Sequence, residues 1–432
     1  MSSDYSSFCD NITVKNFEDM KTTTDNIAKK LNEVYYGLSG DTESHMYIVG
    51  SVGRKTAVDG NSDLDILFDM PNDIFKKYDA YESNGQSSLL QDVKNTLLEK
   101  YPSSNIRGDG QVVVISFNKY TIELVPAFKQ SDNRFKYPDT HDDGSWKYTD
   151  PLSEQEECSL CNSISDNKYY DFCRMVRCWK NNTGFKFGGL LIDTLVYNYF
   201  CDNNHFEDET EDDYTDILLG LFEYLKSQNK DQKYWYAVGS NQHVYNSDNG
   251  KFVTKAKKAY TTLKNAIEND DTEQALSDLF GSVYTDNSST YVEKSFEFSS
   301  KNTEEFIEQK FSVDIRNSLE IDCIVSQNGF RDKLLTLILK DGGFLRVDKR
   351  LTFKIIDTDC KPPYEIYWKV RNVGIEAERR NMIRGEIRKT NSKVHKERTD
   401  FKGPHYVECF LVKNGICVAR DRISVPIETK YL

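Results

Sequence analysis

The chain has 432 residues, 10 Cys and a formal net charge of -13 at pH 7, with 38% hydrophobic and 12% aromatic residues. At about 150 residues per domain this predicts two to three domains, and 26 Tyr with 24 Phe supply the bulk for packed cores, which excludes a largely disordered chain. The acidic balance argues against wholesale wrapping of nucleic acid. No run approaches the ~20 apolar residues of a membrane-spanning helix. The start, MSSDYSSFCDN, lacks a secretory signal, so the expectation is a cytoplasmic protein with reduced thiols.

Taken in chain order, Phe17, Met20, Ile27, Leu31 and Val34 recur at helical spacing and predict an amphipathic helix over 15–36. Strand-like runs follow at 46–51, 62–70 and 111–128, with a helix over 86–101 carried by Leu89, Leu90, Val93, Leu97 and Leu98. Residues 167–200 read as helical, broken at Gly188-Gly189, and 204–216 as an acidic loop. Helices are predicted over 217–226 and 255–268. The polar stretch 285–302 reads as a linker, and from about 303 β-rich runs bounded by Gly, Pro, Asn or Asp predict a separate domain. The expected division is 1–284, with a core over about 15–150 and a helical lobe over about 151–284, then the linker, then 303–432. Residues 345–432 hold 20 Lys+Arg against 12 Asp+Glu, a net of +8, leaving -21 for the rest. That asymmetry suggests either an anionic ligand for the C-terminal domain or a basic face docking on an acidic body.

The strongest chemical signal is Gly50-Ser51 followed, 12 residues after Ser51, by Asp63-Leu64-Asp65. On a strand, Asp63 and Asp65 point to one face, where two carboxylates repel unless a cation sits between them. Mg²⁺, with Mn²⁺ as its substitute, suits such oxygens and lets substrate phosphates complete its shell. Gly50 permits close backbone approach, Ser51 can donate to a phosphate, and Arg54, Lys55 and Thr56 extend the loop as a triphosphate cradle. Glu123, in an apolar strand, is the candidate third carboxylate for two metals in an in-line displacement. Read singly, each of these acids is an ordinary strand residue; the combination is specific. Cys158-x-x-Cys161 could be half of a zinc site, but no second such pair or suitably spaced His accompanies it, and reduced thiols are the simpler reading.

These residues resemble the polymerase-beta-like nucleotidyltransferases, and more narrowly the cGAS/DncV-like (SMODS) bacterial enzymes. The resemblance lies in Gly50-Ser51, the Ser62-Asp63-Leu64-Asp65-Ile66 run and Ile122-Glu123-Leu124-Val125-Pro126-Ala127. Trp146 to Pro151, Arg177-Cys178-Trp179-Lys180 and Ala237 to Gln242 fit it too. The end of the chain resembles the adenylyl/guanylyl and SMODS-associated C-terminal sensor domain, through Trp368-Lys369-Val370, Asn372-Val373-Gly374, Arg384-Gly385, His405 to Glu408 and Asp421-Arg422. The resemblance implies an α+β fold: a polymerase-beta-like core with a helical lobe, then a β-rich domain. It implies that Lys180 and Lys186 contact a donor triphosphate, and that an aromatic ring stacks on its base. Where relatives often carry Ser or Tyr, this chain has Phe185, Lys186, Phe187, Gly188 and Gly189.

The expected function is therefore a nucleotidyltransferase joining NTPs or dNTPs into a cyclic or linear oligonucleotide signal, which the resemblance places in anti-phage defence with a separate effector reading the product. One rival is transfer to a protein hydroxyl or RNA end, including priming on Tyr431 near the chain's end. The other is a non-catalytic nucleotide sensor, against which stand three occupied acidic positions. In the C-terminal domain, Trp368 and Arg371, Arg379, Arg380, Arg384 and Arg388 suggest a nucleotide ligand, with a Trp core and charged face as the bland alternative.

Overall fold

The computed structural model describes residues 5–60, 63–117, 120–202, 214–285, 304–327, 329, 331–340, 342–390 and 392–428. Nearly all of the expected linker at 285–302, most of the acidic run at 204–216, and Tyr431 lie outside the described residues. Packing divides the chain into two compact units, Met1–Arg177 with Gly188–Gly250, and Cys178–Phe187 with Lys251–Leu432.

The first unit opens with helices α1 (Tyr5–Ile12) and α2 (Phe17–Tyr36), strand β1 (Met46–Ile48), a single helical turn α3 (Gly50–Gly53) and strand β2 (Asp63–Asp69). Helices α4 (Asn72–Asp79) and α5 (Gly85–Lys100) precede β3 (Asn105–Asp109), β4 (Val112–Ser116), β5 (Thr121–Lys129), β6 (Phe135–Asp139) and β7 (Ser145–Thr149). Helices α6 (Pro151–Ile164), α7 (Lys168–Thr183, of which the residues from Cys178 on belong to the second unit), α8 (Gly189–Asp202) and α9 (Tyr214–Ser227) and the hairpin β8 (Tyr234–Tyr236)–β9 (His243–Tyr245) complete the run. The sheet order is β1-β2-β5-β4-β3, with β6 and β7 extending from β5; β2 and β5 run parallel and the other pairs antiparallel. The run at 111–128 is thus two strands, β4 and β5, paired antiparallel, not one.

Period-two patterning places the core. Leu64, Ile66 and Phe68 of β2 and Ile122 and Leu124 of β5 are fully buried, against Met20, Ile27 and Leu31 of α2 and Leu89, Leu90, Val93 and Leu97 of α5. The opposite strand face carries Asp63, Asp65, Thr121 and Glu123, all half-buried.

The second unit holds helices α10 (Lys251–Glu268), α11 (Thr272–Phe280) and α12 (Ser282–Thr285), then β10 (Ser312–Val313), β11 (Leu319–Ser326), β12 (Lys333–Leu334), α13 (Leu335–Lys340), β13 (Arg350–Thr358), β14 (Glu365–Arg371), α14 (Ile375–Arg379), β15 (Arg384–Thr390), β16 (Val394–Arg398), β17 (Gly403–Lys413) and β18 (Ile416–Ile427). Two sheets, β10-β18-β17-β14-β15 and β12-β11-β13-β16, share a core of Ile321, Cys323, Phe353, Trp368, Cys409 and Leu411. The lobe expected over 151–284 is divided between the units. Helix α10 buries Phe252, Ala256, Ala259 and Leu263, and Phe252 stacks on Phe187 at 4.7 Å. Among the described residues no helix is long and apolar enough to cross a membrane.

Candidate active site

The Gly50 turn is built against β2. The Val49 N–H donates to the Asp65 carbonyl at 2.9 Å, and Gly50 follows at φ 63°. A Cβ at Gly50 would stand 1.9 Å from Asp65 Oδ2, so only glycine permits this approach. The turn closes with Gly53 N–H to Val49 O and Arg54 N–H to Gly50 O, both 3.0 Å, and Ser51 lies half-buried within it. Parallel register sets Asp63 beside Thr121 and Asp65 beside Glu123. The structure therefore puts Asp63, Asp65 and Glu123 on one sheet face, with Gly50 packed against Asp65 and Ser51 next to it in the turn.

Oxygen donors on a half-buried face fit a hard divalent cation, Mg²⁺ or Mn²⁺, bound through one or two carboxylates and the substrate's phosphates. Among the described residues no group of three His, Cys, Asp or Glu side chains is drawn together into a complete metal site.

Arg54 and Thr56 take a different place from the cradle expected of them. Arg54 is buried, with Nε donating to Asp193 Oδ2 and a terminal nitrogen to Glu154 Oε2, both at 2.9 Å. Thr56 Oγ1 donates to Asp193 Oδ2 at 3.0 Å, and Arg177 grips both Asp193 oxygens at 2.6 and 2.8 Å. Ser240 Oγ donates to Glu154 Oε1 at 3.0 Å. Burial opposes ionisation of Asp193, but Arg177 and Arg54 hold its carboxyl below the usual range; burial pushes Glu154 up, with Arg54 pulling it back. Two cations and two carboxylates so balanced form a buried network that anchors the turn. Lys55 is left exposed, its carbonyl accepting from Arg174 at 3.0 Å. Asp193 was visible in sequence as a lone carboxylate inside the apolar run GGLLIDTLVYNYF, a residue that demands a partner.

Lys180 and Lys186 belong to the second unit, where Lys180 Nζ lies 3.3 Å from Asp314 and Lys186 Nζ 3.6 Å from Asp359. Phe185 and Phe187 are buried, Phe185 against Trp179 and Phe187 against Phe252. Trp368, 2% exposed, is core, which corrects the idea that it stacks a ligand base. Arg371 pairs with Glu304, Arg379 and Arg380 with Glu376, and Arg384 with Glu397, so much of the basic surplus is neutralised locally. Cys158 and Cys161 lie buried on α6, and burial pushes the Cys158 thiol up to about 12 and Cys161 upward too.

Residues 1–162 match the Second Messenger Oligonucleotide or Dinucleotide Synthetase (SMODS) domain, and residues 301–428 the Adenylyl/Guanylyl and SMODS C-terminal sensor domain. A probable cyclic nucleotide synthase of Bacillus cereus (strain VD146) is 27% identical over 124 residues, 28% of this chain and 36% of that protein. The match thus spans little more than a third of that curated relative. CdnC of E. coli MS115-1, solved with ATP, is similar in fold at a TM-score of 0.50 and 16% identity, over 66% of this chain and 99% of that one. The fold is α+β, a mixed sheet with helices followed by a β-rich region, and it is shared with CdnC. Residues 1–162 thus belong to the SMODS domain family and residues 301–428 to the associated C-terminal sensor domain family.

Proposed function

We propose that the chain is a template-independent nucleotidyltransferase that joins nucleoside triphosphates into a cyclic or linear oligonucleotide signal. The observation that carries this reading is the half-buried pair Asp63 and Asp65 on one strand face, with the Gly50 turn packed against Asp65. A bound divalent cation would neutralise phosphate charge and acidify an acceptor hydroxyl there. Asp63 and Asp65 present the oxygens for it. Ser51, next to Gly50, offers hydroxyl and amide donors to phosphate oxygens. Glu123, one strand over, would help hold that cation or take the acceptor's hydroxyl proton, while the acceptor oxygen bonds the α-phosphorus and pyrophosphate leaves. Positioning does most of the work, so no side-chain nucleophile is required. That Lys180 and Lys186 contact the donor's phosphates is what the family resemblance implies.

The SMODS match and the description of the Bacillus relative support a signalling product. The wider role we propose is anti-phage defence in the cytoplasm, with a separate effector reading the product and the sensor domain taking a nucleotide ligand. The test is incubation of the full chain with labelled NTPs and dNTPs plus Mg²⁺ or Mn²⁺, with products resolved by mass. Free nucleotide-to-nucleotide products support the reading. A protein-linked ladder that vanishes in Tyr431→Phe replaces it with self-priming, and no incorporation refutes it.

A further inference from the structure

The first unit contains a cleft of about 790 Å³ walled by α6, α8 and the segment leading through β8 into the 237–241 loop. None of its lining residues belongs to β1, β2, β5 or the Gly50–Gly53 turn. Its size lies within the ~300–1,000 Å³ of small-molecule sites. We infer that this cleft binds a guanine-type base, as an effector site separate from the β2 carboxylates.

The lining chemistry selects the ligand. Tyr234, Trp235 and Tyr236 run consecutively along the cleft; Trp235 is buried and Tyr234 stacks on His243 at 3.7 Å, which leaves Tyr236, 59% exposed, as the open aromatic of the three. Aromatic faces of this kind stack bases whatever their sequence. At the α6 wall, Glu157 Oε1 accepts the Tyr197 hydroxyl at 2.6 Å. Burial and this bond push the Tyr197 hydroxyl upward, so it stays a donor and orients the carboxylate. A fixed carboxylate accepts from adjacent N–H groups, which guanine presents at N1 and N2 and adenine does not. The amides of Asn198 and Asn241 supply further donors and acceptors. The cleft carries one cation, Lys233, against one carboxylate, Glu157. That near-neutral balance suits a base or nucleoside rather than a polyphosphate.

The cleft is wired to the turn. Its wall residues Gly239 and Asn241 flank Ser240, which donates to Glu154, which in turn holds Arg54 at the end of the Gly50–Gly53 turn. A ligand that shifts the 237–241 loop would therefore shift the grip on Arg54 and alter turnover. This coupling rests on the nucleotidyltransferase reading; the binding itself does not.

The test is calorimetry on the full chain with guanosine, adenosine and the dinucleotide GpG, which separates a free nucleoside from a base carried by an oligonucleotide. Guanosine or GpG should bind at least about tenfold more tightly than adenosine, and Asp63→Asn with Asp65→Asn should leave that affinity unchanged. Glu157→Gln keeps the Tyr197 bond but turns an amide toward the base, and Tyr236→Ala removes an exposed ring. Each should weaken binding about tenfold or more while the thermal midpoint holds. Binding at millimolar concentration by none of the three, or binding lost with the β2 carboxylates and indifferent to Glu157→Gln and Tyr236→Ala, overturns the site. Binding as expected without any change in product formation removes the coupling alone.

Discussion

Adding one methyl group at residue 50 probes the contact on which the candidate site is built. A Cβ there would meet Asp65 Oδ2 at 1.9 Å, Cγ at 2.7 Å and Cβ at 2.9 Å. Ordinary contact lies near 3.5 Å, so the turn and the carboxylate must separate by about 1.5 Å. The strand cannot yield easily, because Leu64 and Ile66 on either side of Asp65 are fully buried and the Asp65 carbonyl is held by the Val49 N–H at 2.9 Å. Alanine at φ 63° adds about 1 kcal/mol of left-handed strain, and the overlap adds about 1–3 kcal/mol. Gly50→Ala should therefore cost about 2–4 kcal/mol in denaturant unfolding. A displacement of this size at a reacting centre should lower nucleotide incorporation about a hundredfold. Asp65→Gly in the same background removes the clashing atoms, so the double-mutant cycle should return stability but not activity. Near-normal incorporation by Gly50→Ala, or additive stability effects of the two substitutions, would refute the geometry.

Glu123→Gln is nearly isosteric; incorporation should fall at least about a hundredfold with nucleotide binding largely kept, and lost binding with normal turnover per bound complex would make Glu123 structural. Arg54→Met leaves Glu154 and Asp193 short of a buried cation and should cost about 3–5 kcal/mol in urea unfolding, whereas a loss below about 1 kcal/mol contradicts the network. Burial pushes Asp421 up to about 6, against the pull of the Ile321 and Arg422 N–H groups and of Lys255. Because its folded value exceeds the unfolded ~3.9, its contribution is complete below pH ~4, falls by up to about 3 kcal/mol as pH rises to ~6, and is flat above. Asp421→Asn should erase that segment of the stability–pH curve; an unchanged curve contradicts the assignment.

What sequence could and could not convey is clear at particular residues. The alternation along β2, with Leu64, Ile66 and Phe68 against Asp63 and Asp65, is a local period and was readable, as were Gly50 and Glu123 beside it. Arg54 was not. Its charge suits phosphate equally well, and its partners Glu154 and Asp193 lie 100 and 139 residues away. Trp368 suits a stacking platform or a core, and only the closing of the two β-rich sheets over it decides. Helix α10 announced an apolar face but not which unit that face would join. The β6–β7 hairpin escaped notice because its five-residue strands, FKYPD and SWKYT, mix polar residues and a proline with little alternation.

The most direct test of the central claim, that Asp63 and Asp65 run phosphoryl transfer, is mass-resolved product formation from labelled NTPs by the full chain and by Asp63→Asn with Asp65→Asn under the same Mg²⁺. The account predicts oligonucleotide and released pyrophosphate from the unaltered chain, and none from the double variant at an unchanged thermal midpoint. Equal product from both would contradict it.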